Sequence, residues 1–215
     1  EREVRAAQQL DNTSGLAVSL IVDKSGSISY NDMDKIKDVM TGFVDTLQYD
    51  VGDMAEVLSF DDIVRQMCTF TDEKQNLKNG INNMYPEGMT MFYDALVVGI
   101  THAAGEKGAG CVIAFTDGDD NMSESTPDSV IRYSRDYGVP VYIIGGGSYV
   151  DEYVLRDIAE STGGKYWFID DLYDLSEIYK EVYREEKSMY VVEYDADPHT
   201  DRYAPRTVSV TVSGS

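Results

Sequence analysis

Residues Leu16–Ser29 read LAVSLIVDKSGSIS: seven apolar or small residues, an aspartate, then a lysine, a glycine, an isoleucine and three serines. A short run that is apolar on both faces predicts a buried strand, the habit of strands in a parallel sheet. The residues after it predict a loop of small oxygen-bearing side chains. That loop falls at the carboxyl end of the strand, where open parallel sheets bind their ligands.

Outward from this stretch, strand-like and helix-like segments alternate. The stretch from Asp32 to Leu47 carries Met33, Ile36, Val39, Met40, Phe43, Val44 and Leu47 at helical spacing. MAEVLSF and IVRQMCTFT are separated by Asp61 and Asp62 alone, too short a link for a crossover helix, so they predict a hairpin and one antiparallel edge strand. Helices are expected over Asp72–Met84, Met91–Ala104, Pro127–Tyr137, Glu152–Ser161 and Leu172–Lys187, with CVIAFTD, VPVYIIGG and KYWFID as the strands between them. The Gly163-Gly164 pair is expected to close the fourth of these helices. The fold class that follows is α/β: a doubly wound, mostly parallel central sheet with one antiparallel edge strand and helices on both faces. MYVVEYD and RTVSVTV then predict a C-terminal β-hairpin. The expected organisation is a flank over 1–14, one domain over 15–187 and the hairpin extension over 188–215.

The chain has 215 residues, 42% of them hydrophobic, and no apolar run near the roughly 18 residues that span a membrane, so membrane insertion is not expected. It begins at Glu1 without a signal peptide, which reads as a fragment of a larger multidomain protein. A net charge of -21 would repel phosphate backbones, and nucleic acid is not an expected partner. Cys68 and Cys111 lie in apolar strands outside any CxxC or Cys/His cluster. They predict two free thiols, on strands that are not neighbours, and no zinc site.

FTDGDDN ends a second apolar strand on Asp117 as Asp23 ends the first. If those strands lie side by side, two carboxylates meet the hydroxyls of Ser25 and Ser27, and Thr90 in the loop YPEGMT offers a third. Oxygen donors of this kind suit Mg²⁺, which prefers octahedral oxygen and keeps several waters, with Mn²⁺ or Ca²⁺ as further candidates. The serines are expected as direct ligands, while Asp23 and Asp117 accept hydrogen bonds from metal-bound water or from the serines. Gly26 is expected to let the backbone turn tightly between the two serines.

Together DKSGS, GMT and FTDG resemble, in order, spacing and context, the three motif segments of von Willebrand factor type A domains, a resemblance that covers about residues 15–187. It implies a metal-ion-dependent adhesion site at Asp23, Ser25, Ser27, Thr90 and Asp117, and a non-enzymatic, Mg-dependent module that captures a Glu or Asp of a protein partner. An extracellular or cell-surface location goes with that reading. The alternative is an intracellular subunit-assembly domain of an ATPase-associated or chelatase-like complex. The resemblance also implies that the last helix either slides to change affinity or simply closes the core, and nothing in the sequence signals two packings. A hydrolase finds no nucleophile or base here, with His102 and His199 outside any recognisable motif. IIGGGS lacks the full dinucleotide-loop pattern.

Around this core, Ser29 is expected to cap a helix and Lys24 to point to solvent. Asp119 and Asp120 are expected on a solvated face, and Asp94 as a first-turn carboxylate. Tyr30, Tyr85 and Tyr93 are candidates for the ligand rim.

Overall fold

A computed structural model describes residues 4–9, 15–188 and 190–194. Two units follow from the packing of the chain, and each stands by itself. In the smaller one, β1 (Val4–Gln9) pairs antiparallel with a strand over Tyr190–Tyr194, with a bulge between Val4 and Ala6. The N-terminal flank, too polar to read from sequence, therefore contains a strand. RTVSVTV and the turn expected before it lie outside the described residues.

The larger unit is built from β2 (Leu16–Asp23), α1 (Tyr30–Val44), β3 (Met54–Phe60), β4 (Val64–Thr71), α2 (Lys74–Asn82) and α3 (Phe92–Gly105). It continues through β5 (Ala109–Gly118), α4 (Pro127–Tyr137), β6 (Val141–Tyr149), α5 (Glu152–Ser161), β7 (Tyr166–Ile169) and α6 (Leu175–Lys187). Its sheet has the order β4-β3-β2-β5-β6-β7, parallel except for the β3–β4 pair. That is the doubly wound, mostly parallel architecture with one antiparallel edge.

Every residue of β2 is buried, because helices cover both faces of the sheet. Leu16, Val18, Leu20 and Val22 meet α1, α2 and α6 through Met33, Ile36, Met40, Phe43, Ile81 and Tyr179. On the other face Ile21 and Leu58 meet α3, α4 and α5 through Leu96, Ile100, Val130 and Ile158. Each fully buried aliphatic side chain contributes roughly 1.5–3 kcal/mol, so the two layers hold the sheet rigid beneath its loops. Cys68 on β4 and Cys111 on β5 are free and stand three strands apart in the sheet order. Among the described residues no helix is long and apolar enough to cross a membrane.

The chain leaves β2 toward β3 on one side and reaches β5 on the other, so the order reverses between β2 and β5. A crevice opens at such a switch point, outside the carboxyl ends of the strands. Asp23 and Asp117 flank it.

Candidate functional site

The loop after β2 is held by the aspartate that ends the strand. Asp23 Oδ1 accepts the Ser25 backbone N–H at 2.8 Å, and Oδ2 accepts the Thr116 hydroxyl at 2.7 Å. The turn that follows carries Ser25 Oγ to within 2.9 Å of Ser27 Oγ, and Ser27 Oγ donates to Asp117 Oδ1 at 2.6 Å. Four of the five expected site residues thus form one hydrogen-bonded chain across the β2–β5 crevice, through the Ser25 backbone N–H at Asp23 and through side-chain oxygens from Ser25 to Asp117. Ser29 then caps α1, accepting the Asp32 N–H at 3.1 Å.

Gly26 does not adopt a left-handed turn. Its missing side chain serves a close approach instead: its N–H donates to Gly88 O at 3.0 Å, and a Cβ there would stand 3.3 Å from that oxygen. Gly88 has φ +77°, the left-handed region that favours glycine. This contact ties the serine loop to the loop that carries Thr90.

Thr90 is buried, and its main chain pairs with Asn121 in both directions: Thr90 N–H to Asn121 Oδ1 at 3.1 Å, and Asn121 N–H to Thr90 O at 3.0 Å. Its hydroxyl faces the end of β5, 3.9 Å from where a Cβ on Gly118 would stand. Asp94 sits in the first turn of α3 as expected, and its carboxylate accepts the N–H groups of Glu124 and Ser125 at 3.0 and 2.9 Å. The expectation of a solvated face holds for Asp119, which is exposed, and is corrected for Asp120, which is half-buried. Asp120 accepts the Tyr93 N–H at the start of α3 and the Ser123 hydroxyl, and Asp119 accepts the Asp151 N–H at 2.7 Å. The unpaired backbone donor at the start of α3 draws the Asp120 carboxylate inward.

Lys24 is corrected as well. It is 3% exposed, and its ammonium pairs with Asp61 and, at 3.2 Å, with Glu87. A long cationic side chain folds inward only where a carboxylate meets it, and Asp61 at the β3–β4 turn does so. Burial would raise the Asp61 carboxyl, but hydrogen bonds from Arg65 and Lys24 outweigh it and hold it below the ordinary carboxylate value.

Asp23 and Asp117 behave in the opposite way. Burial pushes Asp23 up to about 6 against the hydrogen bonds from Thr116 and Ser25, and the nearby Asp117 charge adds to the rise. Burial raises Asp117 too, opposed by the bond from Ser27. Among the described residues no Lys, Arg or His forms an ion pair with either. Nor do the described residues contain a group of three or more His, Cys, Asp or Glu side chains placed to hold a metal. The donors at the crevice are of another kind, neutral hydroxyls beside two carboxylates. All-oxygen sets suit hard cations such as Mg²⁺, Mn²⁺ or Ca²⁺ over soft ones. The residues present fit such an ion.

Thr116, Asn121 and Asp61 support the crevice and were missed in the sequence, and Lys24, which joins them, was expected at the surface. Thr116 stands one residue before Asp117, in register to meet Asp23, since Val22 pairs with Phe115. Tyr30 and Tyr85 are exposed beside these loops, with the Lys37 ammonium 4.7 Å from the Tyr85 ring centre. Tyr93 is half-buried.

Comparison with known proteins places the chain. The family model for the von Willebrand factor type A domain matches residues 18–181. An uncharacterised protein of Synechocystis is 27% identical over 176 residues, covering 77% of this chain and 40% of that protein. The bovine inter-alpha-trypsin inhibitor heavy chain H3 is 25% identical over 167 residues, 69% of this chain and 18% of its own length. This chain therefore spans less than half of either relative. Among solved structures, a von Willebrand factor type A protein from Catenulispora acidiphila superposes with a TM-score of 0.70 at 19% identity, covering 87% of this chain and 50% of that one. Proximal thread matrix protein 1 of the mussel byssus, with a zinc-occupied metal-ion-dependent adhesion site motif, gives 0.73 at 23% identity, covering 88% and 49%. These likenesses show a common fold.

Proposed function

The chain belongs to the von Willebrand factor type A family, and on that premise we propose that it is a non-enzymatic adhesion module whose strand-end crevice holds a divalent cation, Mg²⁺ in the first place, and captures a Glu or Asp side chain of a protein partner. Domains of this family are mostly non-enzymatic protein-interaction modules. The observation that carries the reading is the hydrogen-bonded chain Asp23–Ser25–Ser27–Asp117, whose two carboxylates form no ion pair with a cationic side chain among the described residues.

Ser25, Ser27 and Thr90 would hold the ion through hydroxyls, with Asp23 and Asp117 behind them. When bound, the ion supplies the positive charge that a partner's carboxylate needs, and neutral inner donors leave that charge largely uncompensated. The protein's own part is positioning. Asp23 and Thr116 fix the serine loop, the Gly26–Gly88 contact couples it to the threonine loop, and Lys24 ties it to Asp61 of the β3–β4 turn and to Glu87 of the threonine loop. Ser27 stands at the exposed mouth, where a partner arrives.

A random-peptide display library bound in MgCl₂ and eluted with EDTA tests the reading. The eluted pool is expected to be enriched in Asp or Glu, and the enrichment to disappear with the Ser25→Ala, Ser27→Ala double variant. An eluted pool with no acidic bias would contradict it.

A further inference from the structure

Beside the crevice lies a pocket of about 230 Å³ between the ends of β5, β6 and β7 and the start of α1. Its floor is apolar: Ile28, Ile36, Phe115 and Ile169 line it, each nearly fully buried. Its rim is acidic. Asp32, Asp117, Asp170 and Asp171 face it against one ammonium, Lys35, which is already paired with Asp32 at 3.0 Å. Asp117 belongs to both places, so the pocket is continuous with the crevice.

Three properties narrow the occupant. The volume falls below the roughly 300–1,000 Å³ usual for small-molecule sites, which fits a single side chain. An apolar floor under a charged rim matches a side chain that is apolar along its stem and charged at its tip. The sign of the rim requires a cationic tip. Asp170 carries no hydrogen bond or ion pair among the described residues, and Asp171 uses one oxygen to accept the Tyr173 N–H at 3.0 Å. Both leave carboxylate oxygens for a ligand.

We infer that this pocket receives an arginine or lysine side chain of the partner, adjacent to the acidic residue captured at the crevice, so that the recognised motif pairs a base with an acid. The inference rests on the proposed metal-dependent capture for its partner, and on the pocket alone for the basic side chain. It also accounts for how an anionic ligand approaches a chain of net charge -21: a neighbouring base offsets the repulsion that a lone carboxylate would meet. Arginine is the better occupant, since its planar fork can bridge two carboxylates.

The probe for the pocket alone is ethylguanidinium, titrated into metal-stripped protein while the methyl signals of Ile28, Ile36 and Ile169 are followed by NMR. Saturable shifts are expected in the wild type. In the Asp170→Asn, Asp171→Asn variant, which keeps the acceptor for Tyr173, affinity is expected to fall by roughly tenfold, the size of one hydrogen bond to a charged group. In the peptide selection, the EDTA-eluted pool is expected to carry Arg or Lys next to the acidic position, and the same variant to lose that basic bias while keeping the acidic one. No saturable shift at these methyls, or equal affinity in the variant, would overturn the pocket. A pool with no acidic bias would count against metal-dependent capture alone, because the ethylguanidinium titration needs no metal.

Discussion

Asp23 and Asp61 stand at the same end of the sheet, at the tips of adjacent strands, and both are buried, at 0% and 1% exposure. Asp61 has its counter-charge within the chain, from Lys24 and Arg65, and its carboxyl lies below the ordinary value. Asp23 has only neutral donors, Ser25 and Thr116, and a second carboxylate nearby, and its own is pushed up to about 6. The same residue type at equal burial is thus a completed ion pair in one place and an open anionic seat in the other. Burying an anion without a cation is costly, and the proposed divalent ion would offset that cost at Asp23 and at the half-buried Asp117 beside it.

The largest expected difference is in stability. Asp61→Asn leaves the Lys24 ammonium buried with only the exposed Glu87 beside it, and should cost about 3–5 kcal/mol in urea denaturation, as the breaking of a buried ion pair does. Asp23→Asn in metal-free protein should cost less than about 1 kcal/mol, because the substitution relieves desolvation of a charge while leaving an oxygen for the Ser25 N–H. Equal losses would mean that Asp23 is as structural as Asp61.

The pH dependence should also have opposite signs. Asp23 binds its proton more tightly when folded, near 6 against 3.8. Its share of stability is therefore present at low pH and is lost as pH rises from about 4 to 6, by at most about 3 kcal/mol. For Asp61, held below 3.8, the share is present above that value and is lost as pH falls through the lowered one. Urea denaturation from pH 4 to 7 in EDTA should show a steeper fall in the wild type than in Asp23→Asn, where the raised Asp117 and Glu186 still contribute, and saturating MgCl₂ should remove the difference. A difference between the two proteins that survives MgCl₂ would break the contrast.

A smaller effect is expected at Thr116. Thr116→Val removes a donor from Asp23 Oδ2 with little change in volume, and should lower stability by about 1–2 kcal/mol and raise the Asp23 carboxyl further, read by carboxyl-carbon NMR. An unchanged titration would remove Thr116 from the site.

The strands were legible because LAVSLIVD and CVIAFTD are apolar throughout, and the crevice because each ends on an aspartate followed by small polar residues. The expected helices at Pro127–Tyr137 and Glu152–Ser161 match α4 and α5 to the residue, since Thr126 and Asp151 cap them visibly. What was not legible depends on partners distant in sequence. Lys24 turns inward only because Asp61, 37 positions later, meets it. Asp120 leaves the solvent because the first turn of α3, 27 residues earlier, presents an unpaired Tyr93 N–H. The strand over Val4–Gln9 shows little apolar pattern, since its pairing with Tyr190–Tyr194 rests on backbone bonds in a two-stranded sheet.

The central claim, that the positive charge missing around Asp23 and Asp117 is supplied by a divalent cation, is tested most directly by titrating metal-stripped protein with Mn²⁺ and counting free ion by electron paramagnetic resonance. One Mn²⁺ per chain, displaced by Mg²⁺ and lost in the Ser25→Ala, Ser27→Ala variant, is the predicted result. No bound Mn²⁺, or the same binding in that variant, would contradict it.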